Sequence, residues 1–205
     1  MTFFRRALVA APLFAATLLV LFSPASALAD DSWWNSGWSL IGFGGVLSTN
    51  KSSDIWLHGE LGLTDDRLFG VGVSKRLVGI TEDLDLEFEQ QAVKHFEGQD
   101  NWEFNSVFML RWKTFPWDSF IDTSFAAGDG LSIASETPKL ESERYGNDES
   151  SALLNFVLVE FAFALPDYPG PELVMRMQHR SGAFGLINNT SDASTAFTWG
   201  IRYRF

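Results

Sequence analysis

From Trp102 to Thr114, apolar and polar side chains alternate with a period of two. Trp102, Phe104, Phe108, Leu110 and Trp112 fall on one face, and Glu103, Asn105, Arg111 and Lys113 fall on the other. Successive side chains of a strand point to opposite sides, so such a segment is a strand with one apolar and one polar surface. Leu84 to Phe96 repeats the pattern, with Leu84, Leu86, Phe88 and Ala92 against Asp85, Glu87, Glu89 and Gln91. Gly98-Gln99-Asp100-Asn101 joins the two segments. They should therefore pair as a hairpin that sets an acidic face beside a basic one, giving a lumen wired by ion pairs.

The other strand candidates are Ser39 to Ser48, Leu68 to Leu77, Ser119 to Ile133, Leu153 to Leu165, Leu173 to Ser181 and Thr195 to Phe205, which makes eight. Ile55 to Leu63 would be a ninth, but bacterial single-chain barrels have even strand numbers, so Thr49 to Arg67 is assigned to a connection. Past residue 29 no apolar stretch approaches the ~20 residues of a spanning helix, although aromatics make up 15% of the chain. The expected fold is all-β: an eight-stranded antiparallel transmembrane β-barrel of the bacterial outer membrane.

With both termini in the periplasm, Val78 to Asp83, Phe115 to Asp118 and Pro166 to Pro171 become short periplasmic turns. Thr49 to Arg67, Ala134 to Ser150 and Gly182 to Ser194 become the longer extracellular loops, and only Glu97 to Asn101 is short on that side. The last strand alternates Phe197, Trp199, Ile201, Tyr203 and Phe205 against Thr198, Gly200, Arg202 and Arg204. Its aromatic face should meet lipid, and its terminal Phe resembles the signal read by the barrel assembly machinery.

The N-terminus carries the Arg5-Arg6 pair, an apolar run from Ala7 to Phe22 and Ala27-Leu28-Ala29, the pattern of a signal peptide cleaved after Ala29. Residues 1–29 are thus expected to be removed, leaving residues 30–205, which number 176, as the barrel. Removing Arg5 and Arg6 from the net charge of −11 leaves −13, which argues against a nucleic-acid partner. The chain has no cysteine, so a disulfide framework, a thiolate zinc site and a thiol nucleophile are all excluded.

The feature closest to chemistry lies in Leu173 to Ser181. One face carries Leu173, Met175, Met177, His179 and Ser181, and the other carries Val174, Arg176, Gln178 and Arg180. The apolar face must look at lipid, so His179 and Ser181 continue it upward onto the outer wall near the extracellular rim. At i and i+2 their Cα atoms are about 6 to 7 Å apart, close enough for an imidazole to take a hydroxyl proton. Polar residues are also tolerated at headgroup level, so a non-catalytic pair stays open. Arg176 and Arg180 point to the lumen by the same count, where Glu160 is the expected partner of both.

Gln178-His179-Arg180-Ser181-Gly182-Ala183-Phe184-Gly185, followed by the C-terminal strand, resembles the end of the PagL-like lipid A deacylase family, as does Gly128-Asp129-Gly130-Leu131-Ser132. The resemblance covers roughly the C-terminal half. It implies an eight-stranded barrel that hydrolyses an ester-linked acyl chain of lipid A with a Ser/His/acid triad on its lipid-facing wall, Ser181 being the nucleophile and His179 the base. The family usually has Asn after the Ser, where this chain has Gly182, and its acid falls near Thr195, which is no carboxylate. Asp192 is the nearest substitute to fix the imidazole tautomer. The Gly182 and Ala183 amides are candidates for an oxyanion hole.

His58 and His95 have no Cys, His or Asp at ligand spacing and read as surface histidines. Asp54, Asp65, Asp66, Asp100, Asp129 and Asp148 read as scattered loop aspartates without an EF-hand spacing, so no metal or cofactor is expected. Gly42, Gly44, Gly45, Gly70 and Gly72 read as relief for a crowded barrel interior. The leading expectation is a lipid A esterase. The alternative is a structural or interaction barrel that has lost its acid, and the narrow bore of eight strands argues against an open porin.

Overall fold

A computed structural model describes residues 36–48, 50, 52–59, 61–138, 141, 151–166, 170–183, 187 and 193–205. Eight strands follow in chain order: β1 (Trp38–Ser48), β2 (Leu63–Gly79), β3 (Leu84–Phe96), β4 (Trp102–Trp112), β5 (Asp122–Ala134), β6 (Leu153–Ala164), β7 (Pro171–Ser181) and β8 (Thr195–Arg204). Each pairs antiparallel with the next, and β8 pairs back onto β1, so the sheet closes. The seam is tied by reciprocal backbone bonds between Trp38 and Phe205 at 3.1 and 2.9 Å. Closure removes the free edges that an antiparallel sheet would otherwise expose.

The strand count and the faces agree with the alternation, while several boundaries do not. Leu63 to Arg67, expected in a connection, extends β2, and a short helix α1 (Ser52–His58) occupies part of what remains of that connection. β5 begins at Asp122 rather than Ser119, because Asp118 accepts from the backbone N–H groups of Phe115 and Thr123 and holds the chain in a turn. The signal peptide, residues 1–29, lies outside the described residues.

Outward positions carry exposed aromatics, with Trp102 and Trp112 at opposite ends of β4 and Phe108 between them, the arrangement of interfacial girdles around an apolar band. Inward positions fill the lumen in two zones. Phe156, Leu158, Val107, Met109 and Ala126 pack as one apolar cluster, and Ile41, Phe43, Leu47, Leu68 and Val93 belong to another. At the register level of Ile41, Met109 and Ala126 runs an ionic network. The Glu160 carboxylate faces Arg111 at 2.7 Å, Arg176 at 2.6 Å and Arg202. Arg176 also forks onto Glu89 at 2.8 and 2.9 Å, and Arg111 reaches Glu87 at 3.0 Å across the β3–β4 hairpin. The expected ion-paired lumen is present, but it shares the interior with apolar side chains.

Among the glycines, Gly70 fits the crowding argument, since a Cβ there would lie 2.3 Å from Cζ of Phe43. Gly42 does not, because a Cβ there would meet nothing within 4 Å.

Candidate functional site on the outer wall

The β7 backbone alternates as expected. Val174, Arg176, Gln178 and Arg180 are buried inward, while Leu173, Met175, Met177, His179 and Ser181 have the outward parity, although Ser181, at the strand end, is buried at 9% exposure. His179 stands opposite Thr195 of β8 in the strand register, and its Nδ1 lies 3.0 Å from Thr195 Oγ1. Thr195 thus occupies the place at the imidazole where the resemblance puts an acid. Asp192, the substitute named from sequence, lies outside the described residues.

Past Ser181 the chain turns sharply. Ala183 adopts a left-handed conformation with φ of +49°, uncommon for a residue with a Cβ, and its N–H points back at Ser181 Oγ across a long 3.5 Å. A left-handed non-glycine residue costs roughly 1–2 kcal/mol and persists only where its surroundings hold it. Ala183→Gly is therefore expected to stabilise the barrel by about 1 kcal/mol, measured as a higher urea midpoint in phospholipid vesicles.

The structure adds two residues that the sequence reading passed over. Asp129, counted there as a loop aspartate, is mid-strand in β5 and exposed on the outer wall, in the row that runs through Val157 to His179. Asn155 of β6 is the register partner of Ser181 and donates its side-chain amide to Asp129 Oδ1 at 2.8 Å and to the Gly130 carbonyl at 3.0 Å. The alternation itself held the signal: Asp129 has the parity of Ala127 and Leu131, and Asn155 that of Val157 and Val159. Asp129, Asn155, Ser181, His179 and Thr195 therefore form one polar cluster of outward parity across β5 to β8, exposed at Asp129 and buried at Ser181 and Thr195.

Behind this patch, Arg180 points inward between His179 and Ser181. Its partner is not Glu160, which belongs to Arg111, Arg176 and Arg202. Arg180 instead donates to Glu141 at 3.1 Å, and Glu103 lies 3.7 Å away. Sequence could not supply this pairing, because Glu141 is far along the chain and reaches the lumen only through its loop. Glu141 Oε1 also accepts from Ser194 Oγ at 2.8 Å, bridging β7 to the residue before Thr195. Burial pushes the Glu141 carboxyl above its usual range, against the pull of Arg180.

His95 is not the expected surface histidine: it is 3% exposed in the lumen, with Nε2 3.1 Å from Glu103 and Nδ1 3.1 Å from Gln99. His58, at the end of α1, is exposed. Asp65 and Asp66 lie on β2 rather than in a loop.

No family model matches this chain, and no curated protein matches its sequence. Solved structures do share its fold. One is a crystal structure of the outer membrane enzyme PagL, 14% identical, with a TM-score of 0.54 over 82% of this chain and 99% of that one. Another is Neisserial surface protein A, 15% identical, with a TM-score of 0.51 over 83% of this chain and 98% of that one. At such identities the likeness concerns architecture. The fold of this chain is that of the small, closed β-barrels of the bacterial outer membrane.

Proposed function

We propose that this protein is an outer-membrane esterase that removes an ester-linked acyl chain from lipid A. The observation that carries the reading is the outward placement of His179 and Ser181 on one strand face near the barrel rim, with Thr195 seated at the second imidazole nitrogen. In the tautomer with its proton on Nδ1, His179 donates to Thr195 Oγ1, and Nε2 is the nitrogen that takes the Ser181 proton in this proposal. Ser181 Oγ then attacks the ester carbonyl from the wall that faces the lipid. His179 returns the proton to the departing alkoxide, and water repeats the sequence on the acyl-enzyme. The Ala183 amide, already turned toward Ser181, is placed to meet the developing oxyanion.

Asp192, three residues before Thr195, is retained in the proposal as the acid that acts on the imidazole through the Thr195 hydroxyl, since Nδ1 already faces Thr195 Oγ1. Export by a signal peptide cleaved after Ala29, and insertion by the barrel assembly machinery through the strand ending at Phe205, belong to the same reading. The likeness in fold to PagL supports it.

One observation favours a second reading. A threonine at the acid's place fixes an imidazole but supplies no charge to stabilise imidazolium, which suits a barrel that keeps its wall and has lost catalysis. Mass spectrometry of lipid A from cells expressing wild type or Ser181→Ala separates the two. The esterase reading expects a lighter species, lacking one acyl chain, with wild type only. Identical spectra would leave the non-catalytic barrel.

Thr195 itself is testable. Thr195→Val removes one neutral hydrogen bond to the base, worth about 1 kcal/mol, and is expected to lower the rate of fatty acid release about fivefold. Thr195→Glu places a carboxylate at the imidazole. Because loss of a triad acid can cost about 10⁴ in rate, this substitution should accelerate release by about 10² or more.

A further inference from the structure

The β7–β8 ladder ends on the pair His179 and Thr195, so the imidazole and the hydroxyl that orients it stand on its last rung. Terminal rungs open most readily, because pairing supports them from one side only. Here the next position is closed by other means. The Arg180 N–H donates to the Ser194 carbonyl at 2.8 Å, and on the luminal side Glu141 Oε1 accepts from Arg180 Nη1 at 3.1 Å and from Ser194 Oγ at 2.8 Å. One carboxylate oxygen from the β5–β6 connection therefore clamps the two chains immediately beyond the His179–Thr195 pair. Arg180 is also fixed to the start of β6, through the carbonyls of Ser151 and Ala152 at 3.3 and 3.2 Å.

Stability alone does not account for this clamp. Glu141, Arg180 and Ser194 are all buried, and Glu141 Oε2 has no hydrogen-bond partner among the described residues. A buried carboxylate oxygen without a partner is destabilising, and apolar side chains of similar volume often serve a core as well as a buried ion pair does. What such a pair does supply is one fixed geometry. We infer that Glu141 is a positioning residue for the esterase centre: from the lumen it holds β7 and β8 at the separation at which His179 Nδ1 meets Thr195 Oγ1. Glu103 gives Arg180 a second negative charge at 3.7 Å, but its other partner is His95 of β3, so it does not join β7 to β8. The consequence for the reaction rests on the esterase reading, while the consequence for the imidazole does not.

The test follows the ring nitrogens of His179 by nitrogen-15 NMR in the folded barrel in micelles, with His179→Gln to assign them among the three histidines. Wild type is expected to hold a neutral ring protonated on Nδ1. In Glu141→Ala the last rung opens, and the ring moves toward the Nε2-protonated tautomer that a free histidine side chain prefers. Exchange of the Arg180 amide with solvent should rise about tenfold or more in the same variant, while mid-strand amides such as that of Val174 keep their rates. Glu141→Gln retains an oxygen acceptor for both donors and should restore the wild-type tautomer and slow exchange.

Where wild type releases fatty acid, Glu141→Ala should lower kcat about tenfold or more and leave KM nearly unchanged, because it displaces the base without touching the lipid. An Nε2-protonated ring in wild type would overturn the inference, as would an unaltered tautomer and Arg180 exchange in Glu141→Ala. Faster exchange throughout the barrel would reduce Glu141 to a stabilising residue and overturn it too, and so would a shifted tautomer with unchanged kcat in an active enzyme. If the lipid A spectra of wild type and Ser181→Ala are identical while the tautomer shift is present, the esterase reading fails and the clamp on the imidazole stands. Should Glu141→Ala not fold, Ser194→Ala removes one arm of the clamp only. It must then move the tautomer and the Arg180 exchange in the same directions, and no movement would overturn the inference.

Discussion

Ser181→Ala is expected to return the lipid A of expressing cells to the spectrum of cells without the protein, and to cut fatty acid release in micelles by about 10² or more, the part of a full triad's ~10⁶ that remains when no carboxylate stands directly at the imidazole. The size follows from the role: without its oxygen nucleophile the site has no covalent route, and only binding and oxyanion stabilisation remain. The fold should not notice the change. Ser181 lies at the end of β7, buried but with only a long contact from the Ala183 amide among the described residues, so the substitution should cost no more than about 1 kcal/mol. Heat-modifiable migration on a gel should therefore match wild type, which separates lost chemistry from lost structure. His179→Ala should behave alike, because a serine without its base is a weak nucleophile.

The second large effect concerns the barrel itself. Glu160 is fully buried and its two oxygens receive Arg111, Arg176 and Arg202. Glu160→Gln leaves three buried arginines short of one negative charge, and removing one partner of a buried ionic group costs about 3–5 kcal/mol. The expected result is a marked drop in urea midpoint for the folded barrel in vesicles, a large share of the 5–15 kcal/mol typical of a domain. Lys113→Met is the contrasting case. Its partner Asp85 also receives Arg76 and the lysine side chain is 35% exposed, so its loss should cost less than about 1 kcal/mol. Similar losses from the two variants would mean that the lumen network contributes by packing rather than by charge. The network also bears on function, since Arg176 lies three residues before His179 on β7 and fixes that strand against β3 and β6.

Much of this molecule was legible in its residues. Phe88, Phe108 and Trp199 name the lipid side, and Glu87, Arg111 and Arg202 name the lumen, because side-chain direction in a strand is set by position parity alone. The same count placed His179 and Ser181 outward. It would place Asp129 outward too, within the Ser119 to Ile133 strand candidate, although that residue is grouped with the loop aspartates. Boundaries were less legible. Leu63 to Arg67 carries turn-like polar residues, yet it extends β2 because β1 offers it a pairing partner at Ser48.

What the sequence determined by itself is therefore the local pattern: eight alternating segments, their two faces, and a polar interruption of the outer face on β7. What only the tertiary structure decided is which residues stand opposite one another. Thr195 meets His179, Asn155 meets Ser181, and Glu141 reaches Arg180, through pairings 16 to 39 residues apart along the chain. The pleat fixes side-chain direction residue by residue, so parity can be read from the chain alone. Register is set by turn geometry together with the stagger that closes eight strands into a cylinder, and that closure is a property of the whole sheet.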